Sequence, residues 1–161
     1  MNKPDFSKLN VLFANCSLKK STETSHTAGI WQLVETILDN EQVNHKQLRI
    51  ADYDLPPGVQ PDMRENGFET DDWPELYETI MDADILIVGT PIWLGERSSI
   101  CSRFIERMYA MSAKQNDKGQ YECYGKVGGV LISGNEDGIK HCAQSILYSL
   151  QHLGYSITPQ A

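Results

Sequence analysis

Asp84-Ile85-Leu86-Ile87-Val88-Gly89 decides how this chain folds. Four large aliphatic residues follow one another without a polar break. An unbroken run, rather than an alternation, is expected of a strand buried on both faces, which is the setting of a parallel sheet. Working outward, residues 9–14 and 127–132 are further short apolar runs, 45–50 is a weaker one, and 155–158 starts a fifth. Helix-period segments lie between them. Residues 27–38 place Ile30, Leu33, Val34, Ile37 and Leu38 on one face, and 98–112 place Ile100, Phe104, Ile105, Met108 and Tyr109 on another. Residues 137–153 repeat Ile139, Ala143, Ile146, Leu147, Leu150 and Leu153, with Gly154 as the stop. Asp72-Trp73-Pro74-Glu75 reads as a helix start capped by Asp72. Strand–helix alternation with buried strands predicts an α/β fold, a doubly wound parallel sheet in a single domain over residues 1–161.

The 22 acidic and 14 basic residues leave a net charge of -8, which argues against a nucleic-acid backbone or an anionic membrane as the main partner. No apolar signal-peptide segment follows Met1-Asn2-Lys3-Pro4-Asp5, and no apolar run approaches the roughly 20 residues of a membrane span. Cys16, Cys101, Cys123 and Cys142 form neither C-x-x-C nor a metal-ligand spacing with histidine. Free thiols in a cytoplasmic location are expected. Residues 54–70, rich in proline and glycine, form a long loop that is a candidate oligomer contact. The sequence ends just after its fifth strand, so the first helix should stand alone on its sheet face, and a further tail or a partner chain should cover the gap.

In an open α/β sheet, ligands bind beyond the carboxyl ends of the strands. Three loops lie there. The first is Asn15-Cys16-Ser17-Leu18-Lys19-Lys20-Ser21-Thr22-Glu23-Thr24-Ser25-His26-Thr27. Hydroxyls and a lysine ahead of a helix N-terminus suit a phosphate. The loop is neither G-x-x-x-x-G-K-[ST] nor G-x-G-x-x-G. A cysteine phosphatase would need an arginine where Thr22 stands. The second loop, Thr90-Pro91-Ile92-Trp93-Leu94-Gly95-Glu96-Arg97-Ser98, carries an apolar and aromatic cluster suited to a flat heterocycle. The third, Ser133-Gly134-Asn135-Glu136-Asp137-Gly138, is small and polar and precedes a helix.

A phosphate pocket beside a planar slot resembles the flavodoxin-like fold, with strand order 2-1-3-4-5 and, here, no C-terminal helix. More closely, the chain resembles the NADPH-dependent FMN reductase and NAD(P)H:quinone oxidoreductase group. That group's phosphate loop, S-x-[RK] then S-x-[NT], reads Ser17-Leu18-Lys19 and Ser25-His26-Thr27 here, with a longer insert between them. Its ring loop, T-P-x-[YW]-x-G, reads Thr90-Pro91-Ile92-Trp93-Leu94-Gly95. The resemblance implies that Ser17, Lys19, Ser25, His26 and Thr27 hold the FMN phosphate. It implies that Pro91, Ile92, Trp93, Leu94 and Gly95 border the ring, and that Ser133, Gly134 and Asp137 close its far edge.

By the same resemblance, NADPH or NADH gives hydride to the flavin, and a quinone, free flavin or other small-molecule acceptor takes the electrons. A homodimer or homotetramer is expected. No side chain is assigned an acid–base role and no metal is expected. Two alternatives stay open: an FMN electron carrier that does not use nicotinamide, and a flavin-free regulatory or binding domain. Arg97 and Arg103 read as surface arginines within conceivable reach of a nicotinamide phosphate. His141 reads as a solvent-facing helix residue, Cys16 as a buried strand-end thiol, and Trp31, Trp73 and Tyr109 as packing residues.

Overall fold

The computed structural model describes residues 4–159; the first three residues of the N-terminal reading, and the end of the chain at Ala161, lie outside them. Strand β1 (Asn10–Asn15) leads to α1 (His26–Asn40) and β2 (Asn44–Arg49). Helix α2 (Trp73–Met81) precedes β3 (Ile85–Trp93), the two-residue β4 (Glu96–Arg97) and α3 (Ser99–Ala110). Strand β5 (Val127–Ser133), α4 (Ile139–His152) and β6 (Ser156–Ile157) complete the order. The sheet runs β2-β1-β3-β5-β6, all parallel, with β4 pairing only with β3. With β4 set aside, this is the predicted flavodoxin-like order. Asn15 lies opposite both Arg49 and Gly89, and Pro91 lies opposite Ser133. These registers bring the strand ends, and the three loops that follow them, to one edge.

The two sheet faces are covered unequally. Helices α2, α3 and α4 bury one face, where Trp73 meets Phe104 edge-on at 5.9 Å above Leu86, Val88 and Ile146. The other face has α1, whose Trp31 stacks on Phe13 of β1 at 4.4 Å. That stacking dictates Gly89: a Cβ there would lie 2.3 Å from the Phe13 ring. Strand β1 is buried from Val11 to Asn15, as a central parallel strand should be. The run that predicted the sheet is less enclosed than expected, because Ile85 and Ile87 point to the α1 side and are only half-buried.

The same asymmetry corrects the predicted helix faces. On α1 the packed stripe is Thr27, Trp31, Val34 and Leu38, while Ile30, Leu33 and Ile37 are exposed. On α3 the inward residues are Cys101, Phe104, Arg107 and Met108, and Tyr109 is exposed rather than packed. Ile139 of α4 is exposed as well. The cap of α2 also differs. Asp71, not Asp72, accepts the Trp73 N–H at 3.0 Å; Asp72 instead accepts the Asp54 N–H at 2.7 Å.

Residues 54–70 are not a loose loop. Arg107, fully buried, donates through Nη1 to the carbonyls of Gly58 and Gln60 at 3.1 and 2.9 Å, and through Nη2 to that of Pro61 at 3.3 Å. Its Nη2 also meets the buried Asp71 carboxylate at 2.7 Å. Asp71 in turn accepts the Met63 N–H at 2.8 Å. Thr70 donates to Asp54, and a 3₁₀ turn, Met63–Asn66, ends at Gly67 with a φ of 93°. The long loop is therefore a strap on the surface, tied down chiefly by Arg107 and Asp71, with further bonds from Arg103 to the Leu55 carbonyl and from the Gly58 N–H to Glu106.

Candidate functional site

The first loop leaves β1 under local control. Asn15 Oδ1 accepts the Ser17 N–H at 3.0 Å, and Asn15 Nδ2 donates to Gln47 of β2 at 3.1 Å. Ser17 Oγ reaches the Lys19 carbonyl at 3.4 Å. Beyond Lys19 the insert is fastened from below. Arg49, buried at the end of β2, donates through Nη1 to the carbonyls of Lys19 and Lys20, each at 3.0 Å. Asp52 Oδ1 accepts the Ser21 N–H at 3.0 Å, and hydrogen bonding from the Ser21 side chain and then from this N–H holds its carboxyl below the usual carboxylate range. Ser25 then caps α1 with its side chain, accepting the Ala28 N–H at 3.4 Å.

The second loop is mostly not a loop. Strand β3 continues to Trp93, and the chain reverses through Leu94 and Gly95 into β4, with φ of 52° and 80° at the two turn residues. Two successive positive φ angles are those of a tight hairpin turn whose twist matches its strands. Thr90 Oγ1 accepts the Ser98 N–H at 3.0 Å, and Ser98 Oγ donates to the Cys16 carbonyl at 2.6 Å. These bonds tie the hairpin base to the first loop. The third loop meets the hairpin tip, because a Cβ on Gly138 would fall 2.5 Å from the Gly95 carbonyl oxygen.

A cavity of about 420 Å³ opens between the three segments. Ser17, Leu18, Lys19, Ser25, His26 and Thr27 line one wall. Pro91, Ile92 and Trp93 form the second, and Ser133, Gly134 and Asn135 the third. At its base Thr27 Oγ1 and Ser133 Oγ share a buried hydrogen bond of 2.7 Å. Ten of the thirteen residues predicted for the site therefore line one space. Leu94, Gly95 and Asp137 do not: Leu94 is 94% exposed, and Gly95 and Asp137 are not among the lining residues. Sequence reasoning missed Leu18, Asn135 and, more importantly, Arg49. Its only signal was a charged residue closing the weak apolar run 45–50.

Cys16 is fully buried, and burial pushes its thiol well above the ordinary range, beside that of Cys101. A thiol so placed is a poor nucleophile. Burial, reinforced by Glu96, likewise raises Cys142.

Residues 9–161 match the sequence family described as NADPH-dependent FMN reductase. The chain belongs to that family. It is 52% identical over 158 residues to the divalent metal cation transporter MntH of Mycobacterium bovis, covering 98% of this chain and 23% of that protein. It is 34% identical over 158 residues to 8-demethyl-8-aminoriboflavin-5'-phosphate synthase of Streptomyces davaonensis, covering 95% of this chain and 62% of that protein. The crystal structure of RosB with bound 8-demethyl-8-formylriboflavin-5'-phosphate superposes with a TM-score of 0.85 at 33% identity, over 94% of this chain and 62% of RosB. The chain thus spans about a quarter and under two thirds of the lengths of the two curated relatives. Among the described residues no helix is long and apolar enough to cross a membrane, and no group of three or more His, Cys, Asp or Glu is placed to hold a metal ion.

Proposed function

We propose that this chain is an FMN-dependent oxidoreductase that accepts electrons from NADPH or NADH and passes them to a quinone, free flavin or similar small acceptor. The observation that carries this reading is the single cavity joining a hydroxyl-and-lysine loop, at the N-terminus of α1, to the flat apolar wall of Pro91, Ile92 and Trp93. Its volume lies in the range of about 300–1,000 Å³ usual for cofactor sites. Gly134 keeps the far wall tight, since a Cβ there would press to 3.1 Å on Ile92.

FMN, when bound, supplies the two-electron chemistry between nicotinamide and acceptor. The chain supplies binding and orientation. Ser17, Lys19, Ser25, His26 and Thr27 would hold the phosphate, aided by the unpaired first-turn N–H groups of α1. Thr27 and Ser133 share one hydrogen bond, so one of the two hydroxyl protons is left to donate into the cavity. Pro91, Ile92 and Trp93 would flank the ring, with Leu94 and Gly95 shaping the hairpin behind them. Ser133 and Gly134 would close the far edge, with Asp137 supporting it from outside. The unit is expected to act in the cytoplasm as a homodimer or homotetramer, without a nucleic-acid or membrane partner.

The test is the visible spectrum of purified protein after FMN is added, followed anaerobically by NADPH or NADH. Bleaching of a bound flavin by either nicotinamide is expected. A bound flavin left oxidised by both would favour the carrier alternative, and no bound flavin would sink both readings. A second reading is favoured by the likeness to the aminoriboflavin-phosphate synthase: the flavin phosphate itself is the molecule transformed. Mass spectrometry of flavin recovered after turnover separates the two, because a retained cofactor leaves with unchanged mass.

A further inference from the structure

We propose that a collar of exposed apolar side chains around the mouth of the flavin cavity, formed by Leu18, Trp93, Leu94 and Ile139, binds a hydrocarbon substituent of the electron acceptor, with Leu94 as the specificity-determining residue. The inference rests on the oxidoreductase reading above and deepens it, by choosing acceptors with an apolar tail over free flavin.

Leu94 is the residue that points there. Its φ of 52° is a left-handed backbone conformation, which glycine or asparagine adopts at less cost than leucine. The first position of such a hairpin turn favours those two residues. The Leu94 side chain is 94% exposed, so packing within the chain does not offset the strained backbone. Strain and a large exposed apolar group thus coincide at one residue, at the tip of the hairpin whose Trp93 enters the cavity wall. A leucine so placed has its contacts outside the chain.

Three neighbours extend it. Leu18 and Trp93 line two different walls of the cavity, yet each is more than half exposed, so both stand at its rim. Ile139, also more than half exposed, opens α4 directly after Gly138, whose backbone abuts Gly95 of the hairpin. Single exposed apolar residues are ordinary on a protein surface; four around one opening form a patch of the kind that marks a binding site. Polar groups rim it. Lys19 belongs to the phosphate wall, and Glu96, past the hairpin turn, is engaged with His141 Nε2 at 2.8 Å.

Continuity with the cavity decides the occupant. A molecule that takes electrons there has to enter the mouth or lie against it, and the collar is what it meets. Free flavin offers the collar a polar ribityl phosphate, whereas a quinone with an alkyl chain offers apolar surface. Burial of that surface is non-directional, so the collar selects by the tail rather than by the chemistry of the ring.

Calorimetry tests this without turnover. A dimethoxy-methyl-benzoquinone carrying a decyl chain, and the same ring without the chain, are titrated into the FMN-loaded protein with no nicotinamide present. The Leu94→Asn and Ile139→Gln variants are titrated alongside. Each methylene taken fully out of water is worth about a factor of four, so a preference of about tenfold needs the equivalent of only about two methylenes. The decyl quinone is expected to bind at least about tenfold tighter than the short one. That ratio should fall at least about fivefold in Leu94→Asn and about twofold in Ile139→Gln. Asparagine suits a positive φ, so Leu94→Asn should melt no lower than the wild type, and a lost ratio then reads the side chain rather than the fold. In steady-state reduction, each variant should raise KM for the decyl quinone more than KM for the short one. A wild-type ratio near one, or a ratio that both variants leave unmoved, overturns the proposal. So does a wild-type dimer that dissociates in Leu94→Asn by light scattering, which would give the collar to a second copy. If neither nicotinamide reduces the flavin, the oxidoreductase reading fails, and the calorimetric ratio still decides whether the collar binds a hydrocarbon chain.

Discussion

Arg49 reaches from the end of β2 to the carbonyls of Lys19 and Lys20; Arg107 reaches from α3 to the carbonyls of Gly58, Gln60 and Pro61. Both are buried, and both fasten a loop by its backbone. They differ in what balances them. Arg107 has the Asp71 carboxylate at 2.7 Å, and the Trp73 ring lies 5.7 Å from its guanidinium carbon. Arg49 has no ion-paired carboxylate among the described residues, while the Nε of both arginines is buried without a partner. Asp52, which feels Arg49 weakly, is spent on the Ser21 N–H. The strap 54–70 is thus closed on itself, a finished piece of scaffold. The first loop rests on a cation without a directly paired carboxylate, which leaves its outer side more favourable to an anion.

The largest effect should come from breaking the balanced side. Arg107→Met leaves Asp71 buried and unpaired, and losing one partner of such a pair costs about 3–5 kcal/mol. Denaturant unfolding should show that loss. The affinity ratio of FMN to riboflavin should not move in the protein that still folds. A loss under about 1 kcal/mol would mean that the strap holds without its arginine.

Arg49→Met should act the other way round. Removing charged hydrogen bonds to two carbonyls should cost about 1–3 kcal/mol of stability. Its larger signature should be in binding, with FMN weakened at least tenfold more than riboflavin. Equal losses for the two ligands would make Arg49 another scaffold residue and erase the contrast. Lys19→Ala provides the reference, because it is exposed and should shift the same ratio while changing stability by no more than about 0.5 kcal/mol.

The contrast between the arginines also marks how far the sequence could be read. The strand–helix alternation and the three loops were legible in short-range signals (aliphatic runs, a hydroxyl-rich strand end, a proline and glycine around Trp93), whereas the sheet order and the roles of the cavity residues came with the family resemblance that those motifs carry. Arg49 and Arg107 were not legible, because each acts on residues about 30 or 47 positions away, and nothing local in the chain encodes that reach. The face of α1 was misread for a related reason. Periodicity finds apolar stripes, and α1 has two, Trp31–Val34–Leu38 and Ile30–Leu33–Ile37; only the sheet decides which is packed. The hairpin at Leu94–Gly95 hid behind a non-glycine residue with positive φ, an uncommon choice for a tight turn.

The smallest predicted effect is one of pH, and it separates the two regions once more. Hydrogen bonding from the Ser21 side chain and N–H holds the Asp52 carboxyl below its usual range, and that from the Arg64 side chain does the same for Asp62 in the strap. A folded-state value below the unfolded one of about 3.9 means that each contact contributes fully above that pH and is lost as pH falls through the folded value. Asp52 is exposed and Asp62 only half-buried, so the change should be local rather than global. Amide exchange at Ser21 should therefore accelerate in acid, relative to an unstructured amide, before the protein unfolds. Asp52→Asn should abolish that dependence and Asp62→Asn should leave it intact. If Ser21 stays protected in acid with Asp52 intact, Arg49 alone fastens the insert, and the cation beneath the loop carries more of its order than the hydrogen-bond pattern implies.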